Sequence, residues 1–262
     1  MSTIVAPVLL SISLIGAYAI LAIGVVAIYR ASKVLNLAHG AMAMIPAYVL
    51  YSVSKAGVPL LAALLLAVGA GACLGWLIER VFVRPLRGES ETSQTVGTVA
   101  AFGLLLAVSV RLWGTTPQRA VAVFPEGSIA VAGSSIRYGE LGLFVVMLAL
   151  SAGLFALFRY TELGLVIRGT AENRRAAALM GVNPQLVTNI AWALGGALAG
   201  LAGILLASIT TLSPYTLSLQ ALPAFVAALI GGLGSFPGAV VGGVAVGLAF
   251  GFVPQLGPLG AM

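Results

Sequence analysis

Long apolar runs separated by short polar loops set the first limit on this chain. Runs at about 7–29, 58–78, 95–113, 139–158 and 186–209 each approach the ~20 apolar residues that cross a bilayer as a helix. Hydrocarbon offers the backbone no hydrogen-bond partners, so continuous apolar runs of this length must satisfy themselves as helices. Three further pieces are less regular. Residues 39–53 are short, 219–233 are short and end in glycines, and 236–253 are long enough to span but glycine-rich. The expected fold is an all-α polytopic membrane bundle, one transmembrane domain over 1–262, with about eight membrane segments, some broken or re-entrant.

Composition agrees. Sixty per cent of the 262 residues are hydrophobic and 8% are charged, against about 25% charged in a soluble domain. The 33 glycines suit a bundle whose helices approach closely. The first run is too long for the core of a cleavable signal and has no basic start, so it reads as a retained span. Cys73 is the single cysteine, which excludes an internal disulfide, and in its apolar run it reads as a small packing residue.

Charge orients the chain. Thirteen Lys and Arg face seven Glu, with no Asp, for a net +6. Arg80, Arg84 and Arg87 lie in loop 79–94. Arg159, Arg168, Arg174 and Arg175 lie in loop 159–185. Two spans separate the loops, so both face one side, and basic loops mark the cytoplasm. Arg30 and Lys33 fall on that side too, if 39–53 and 58–78 each cross once. Segment 114–138 and the amino terminus are expected outside. The basic excess thus marks cytoplasmic loops, not a nucleic-acid partner.

No catalytic constellation is visible. One histidine, no aspartate and one cysteine supply neither a familiar triad nor a metal cage. No Gly-Lys pair exists, so there is no Walker A loop, and ATP would have to be bound by another chain. All seven glutamates lie at span ends or in loops. Carriers coupled to protons or sodium commonly hold a carboxylate inside the membrane, so a stand-alone carrier or channel is the weaker alternative. A membrane-embedded enzyme is weaker still.

Two stretches interrupt the apolar pattern. Asn36, His39 and Gly40 precede a short segment containing Pro46. Gly231, Gly232, Gly234, Pro237 and Gly238 form a run unsuited to a regular helix. A broken helix survives in a membrane only where it is buried or faces water, and there its backbone can meet a ligand. Both stretches are candidates for a substrate pathway. The plainer readings are an interfacial hydrogen-bonded histidine and an interhelical turn. Gly196 with Gly200, and Gly243, Gly247 and Gly251 beside Gly238 and Gly242, repeat at four residues. They suit internal packing or, more sharply, contact with a second membrane subunit.

Residues 161–181, TELGLVIRGTAENRRAAALMG, put Arg168, Glu172, Arg174 and Arg175 between two apolar runs. The expected element is a charged cytoplasmic helix over about 170–181. Thr170 would cap it, Glu172 would sit in its first turn, and Gly181 would stop it. Asn183 and Pro184 would start the next helix. Such an element is either a docking helix or a plain connector with snorkelling arginines.

Taken together these stretches resemble the permease subunits of branched-chain amino acid ABC transporters of the LivH type. LNLAHGAMAMIPAY (35–48) is similar to the family's N-F-A-H-G segment. ERVFVRPLRG (79–88) is similar to its E-R-x-x-x-R-P-L-R loop. Residues 161–183 resemble its coupling-helix region, and 193–207 and 221–248 its late glycine-rich spans. The resemblance implies a non-catalytic permease in the bacterial cytoplasmic membrane. It pairs with a second, LivM-like permease, with two ATPase subunits that use ATP and Mg, and with an extracytoplasmic binding protein. No cofactor is bound by the chain itself. Arg168, Glu172, Arg174 and Arg175 would orient the ATPase, with Ala176, Ala177, Leu179, Met180 and Gly181 as the docking face. Leu, Ile and Val are the expected cargo, with urea, short amides or other small amino acids as the alternative. Gly169-Thr170 departs from the family's usual Arg-Ala. The family also usually continues, past the position of Met262, with a further helix and an R-P-x-G-L tail.

Overall fold

Helix α1 (Ser2–Ser32) is the axis of the molecule, and from Ile15 to Ile28 almost every side chain is buried. The structure is a computed structural model that describes residues 2–131 and 134–256. The carboxy-terminal residues 257–262, at the point where the family tail would follow, lie outside the described residues.

The other elements follow in order: α2 (His39–Lys55), α3 (Leu60–Ile78), α4 (Glu91–Trp113), α5 (Tyr138–Tyr160), α6 (Glu162–Glu172), α7 (Arg174–Leu179), α8 (Pro184–Ile209), α9 (Pro214–Leu219), α10 (Ala221–Gly231) and α11 (Phe236–Leu256). Six described helical segments are long and apolar enough to cross a membrane. Segment 33–55 and the shorter α11 bring the membrane segments to about eight, the number expected. Strands β1 (Ser128–Val131) and β2 (Ser134–Arg137) form a small antiparallel hairpin between α4 and α5, pairing Ile129 with Ile136. This hairpin is the one departure from the all-helical expectation among the described residues.

Small residues decide which helices touch α1 and α8. In hydrocarbon, close backbone approach replaces the hydrophobic effect as the reason helices pair. Gly243 packs on Ala19 and Gly247 on Ile15, seating α11 on α1, while Gly242 packs on Ala227 of α10. Gly196 meets Gly71 of α3, and Gly200 meets Pro46 of α2. The plainer expectation therefore holds for these glycines: they pack the interior of this chain and present no stripe to a second subunit. Cys73 corrects an expectation. It sits on the outward face of α3 and is exposed, because Gly71 and Gly75 occupy the inward face.

The two ends of the bundle differ chemically. Arg30, Lys33, Arg87, Thr170 and Arg174 gather at one end, and the positive-inside rule assigns this basic end to the cytoplasm. Gln118 and Leu212 exchange backbone hydrogen bonds at the other, tying the 114–137 segment to the start of α9.

Candidate functional site

Two crossings are interrupted, and they meet inside the bundle. After α1 the chain turns back into the membrane as the extended segment 33–38. Thr98 of α4 holds it: its hydroxyl accepts from the Leu37 N–H at 2.9 Å. Asn36 then closes the break. Its Oδ1 accepts from the Ala38 N–H at 3.1 Å, its carbonyl accepts from the His39 N–H at 3.1 Å, and its amide points at the Met42 sulfur. This local capping lets α2 begin at His39 in the middle of the bundle.

His39 is fully buried, with Nε2 3.1 Å from the Leu21 carbonyl of α1. A carbonyl only accepts, so Nε2 carries the hydrogen and Nδ1 is left as an acceptor. Nδ1 has no partner among the described residues. Gly24 makes room for the ring, and Phe225 of α10 lies against it, with centroids 6.4 Å apart. The neighbouring Gly40 is in contact with the Ser218 carbonyl, at the end of α9, where a Cβ would collide. Gln220 separates α9 from α10, and the Tyr18 hydroxyl of α1 donates to its Oε1 at 2.9 Å. One helix, α1, thus braces both breaks.

The glycine run lies elsewhere. Gly231 and Gly238 pack backbone to backbone, and Gly232 turns the chain with φ +85°. Phe236 stacks on Phe158 at 4.1 Å and lies under Arg30 at 5.1 Å. Nine residues of α1 separate Leu21 from Arg30, about 14 Å along the axis at 1.5 Å per residue. The structure therefore does not bring the two candidate pathway groups together. Asn36, His39 and Gly40 lie buried inside the bundle. Gly231, Gly232, Gly234, Pro237 and Gly238 form the α10–α11 turn at the cytoplasmic rim.

The cytoplasmic element is two helices, not one. Thr161 caps α6, its hydroxyl accepting from the Gly164 N–H at 3.2 Å. Thr170 is then inside α6, buried and not a cap, and Glu172 closes that helix instead of opening the next. Asn173 is the real break: its Oδ1 accepts from the N–H groups of Arg175 and Ala176 at 3.0 and 2.9 Å and starts α7. Gly181 stops α7 as expected. At φ +84° it allows Val182 N–H to reach the Ala177 carbonyl and its own N–H to reach Ala178. Asn183 and Pro184 open α8 as expected.

The basic residues of this element have different jobs. Arg174 folds back toward the Pro184 carbonyl and the Thr188 hydroxyl of α8, at 3.5 and 3.4 Å. Arg168 and Glu172 line a hollow with Arg30, Lys33 and Gly234. Arg175 is exposed, and Leu179 and Met180 beside it are 88% and 84% exposed. Ala177 is half-buried, so it packs more than it presents.

Comparison with known proteins now bears on the whole arrangement. The family described as "Branched-chain amino acid transport system / permease component" matches residues 8–258. The chain belongs to this permease family. It is 30% identical over 249 residues to the high-affinity branched-chain amino acid transport system permease protein LivH of Salmonella typhimurium, covering 88% of this chain and 80% of that one. It is 30% identical to the permease protein BraD of Pseudomonas aeruginosa, covering 90% and 81%. A probable LivH of Methanocaldococcus jannaschii is 32% identical, covering 88% and 75%. No solved structure matches.

This family permease also holds a buried ion pair that carried no functional expectation from the sequence. After α3 the coil widens into a π-turn, Glu79–Val83, and Glu79 is fully buried there. Arg87 donates to its Oε1 at 2.6 Å and Gln185 of α8 at 3.2 Å. With its amide nitrogen turned inward, Asn189 donates to Oε2 at 2.9 Å. Burial pulls the Arg87 guanidinium below its usual range; Glu79 opposes this, and the neighbouring Arg174 and Arg84 add to it. The only sequence signal for this joint is the ERVFVRPLRG loop, which contains both Glu79 and Arg87.

Proposed function

We propose that this chain is the transmembrane permease subunit of an ABC importer for branched-chain amino acids, working in the cytoplasmic membrane. It forms the pathway with a second permease. Two ATPase subunits drive it, and an extracytoplasmic binding protein feeds it. The permease carries no chemistry of its own; ATP is bound and hydrolysed in its partners. The carrying observation is the α6–α7 element, a short capped pair of helices that lifts Arg175, Leu179 and Met180 out of the bundle at its cytoplasmic end. Large apolar side chains exposed outside the membrane suit a protein contact.

The interrupted crossings support a transport role. Asn36, His39 and Gly40 belong to the pathway wall, where the Nδ1 acceptor of His39 and backbone groups at the break meet polar cargo. The 231–238 turn forms the cytoplasmic end of the same route. Leu, Ile and Val follow from the names of the relatives, while urea or short amides are the competing cargo.

The test is retention of ATPase subunits by the solubilised full chain. Arg175→Glu and Leu179→Asp are expected to lose at least ~10-fold retention, in line with loss of a hot-spot contact, at unchanged melting temperature. Arg174→Ala is expected to lower the melting temperature, because it frees α7 from α8. If the unaltered chain retains no ATPase from its own host, a stand-alone carrier takes the place of the importer.

A further inference from the structure

At the cytoplasmic rim, between the end of α1, the 84–90 loop, the first turn of α4 and α6, lies a hollow of about 370 Å³. Arg30, Lys33, Arg87 and Arg174 line it, with Glu91 as the one carboxylate among the lining residues. An adjoining hollow shares Arg30 and Lys33 and adds Arg168 and Glu172. Within the protein, Arg87 is matched by Glu79, and no salt bridge is formed to Arg30, Lys33 or Arg174 among the described residues. Thr170, which also lines the hollow, has a buried hydroxyl with no partner among the described residues.

Lys33 supplies an independent observation. It ends α1 in the left-handed region at φ 60°, with its N–H on the Tyr29 carbonyl at 2.7 Å. Glycine is the residue that takes this position without steric cost, and Lys33 is the only non-glycine residue with positive φ among those described. A lysine there holds backbone strain while adding a cation to the lining of the hollow, its ammonium resting over the Tyr29 ring at 5.6 Å.

We infer that this hollow is a binding site for a phosphate oxyanion. Three cations without a carboxylate partner line one space at the basic end of the bundle, held by Phe236, Tyr29 and α8 and, among the described residues, not by acids, and basic pockets between membrane helices recognise phosphate-bearing groups. Arg30, Lys33 and Arg174 supply the hollow's positive charge. Two sources present this chemistry: an anionic phospholipid headgroup and free inorganic phosphate. The inference does not rest on the transport reading.

Native mass spectrometry of the full chain, released from nanodiscs of mixed phosphatidylglycerol and phosphatidylcholine, tests the lipid source. The unaltered chain is expected to retain phosphatidylglycerol in preference. Lys33→Gly is expected to lower that retention about fivefold, as for removal of one cation at a membrane surface, with a melting temperature unchanged or raised because the strain is gone. Lys33→Arg is expected to keep it, and Arg119→Gln at the opposite end to leave it unchanged. Inorganic phosphate titrated into the delipidated chain tests the other source by calorimetry. Lipid retention without a phosphate response assigns the site to headgroups. A phosphate response lost in Lys33→Gly assigns it to the free anion. No preference in either arm, or preferences that Lys33→Gly leaves intact in both, overturns the inference.

Discussion

At the scale of single residues, Gly40 is the tightest constraint in the membrane-embedded part. Its α-carbon lies against the Ser218 carbonyl, which lets the start of α2 cross the α9–α10 break. A methyl group there has no space, and the atom it meets is backbone, which cannot swing aside. Gly40→Ala is expected to cost about 2 kcal/mol or more, the range for overpacking, and to abolish uptake. A lowered melting temperature together with lost transport in vesicles checks this. The break itself is legible in the sequence, because Asn36, His39 and Gly40 interrupt an apolar run. Its partner is not, since Ser218 and Gln220 sit in ordinary sequence far along the chain. Thr170 shows the opposite failure. It has cap chemistry and acidic company, but Thr161 and Asn173 have the same chemistry at better registers. Only the folded backbone shows which of the three hydroxyl or amide groups meets unbonded N–H groups.

At the scale of elements, the joint between α3 and α8 stands out. Glu79 faces Arg87, Gln185 and Asn189 where the α-helix gives way to a π-turn, a wider coil that often marks functional positions. Arg87 also lies near Arg174, which tethers α7. The tether from α7 runs to α8 through Arg174, while Arg87 and Arg174 repel each other across the joint. A buried carboxylate deprived of its partner costs about 3–5 kcal/mol, less here because the Arg87 side chain is 29% exposed. Arg87→Gln alone is expected to destabilise by roughly 2 kcal/mol, and Glu79→Gln with Arg87→Gln together by less than the sum of the singles. Denaturant unfolding of the four proteins in micelles measures the coupling, and additive effects would show that the pair is incidental. Helix ends such as Gly181, Asn183 and Pro184 are readable from sequence, because caps are local. The glutamate at 79 reads as an ordinary span-end charge, because its burial depends on α8.

At the scale of the whole molecule, α1 organises the bundle. It is buried from Ile15 to Ile28, seats α11 through Gly243 and Gly247, and braces both interrupted crossings through Leu21 and Tyr18. Helices α3, α4 and α5 instead turn large apolar side chains outward, such as Leu61 at 71% and Val145 at 61% exposure, as lipid or another membrane subunit requires. About eight crossings with basic loops at one end predict the sidedness of each loop. Glu126, in the segment before the β1–β2 hairpin, is expected outside, and Leu179 at the end of α7 in the cytoplasm. Because Cys73 is the only cysteine and faces outward, Cys73→Ser gives a background for single-cysteine labelling without opening the core. In that background a membrane-impermeant maleimide is expected to label Glu126→Cys in intact cells, and Leu179→Cys only after permeabilisation. Labelling of both from one side would mean that one interrupted crossing, 33–55 or α9–α10, returns to the face it entered. The His39–Leu21 and Tyr18–Gln220 contacts argue against that, because each holds its break inside the bundle, with the flanking helices running on to opposite ends.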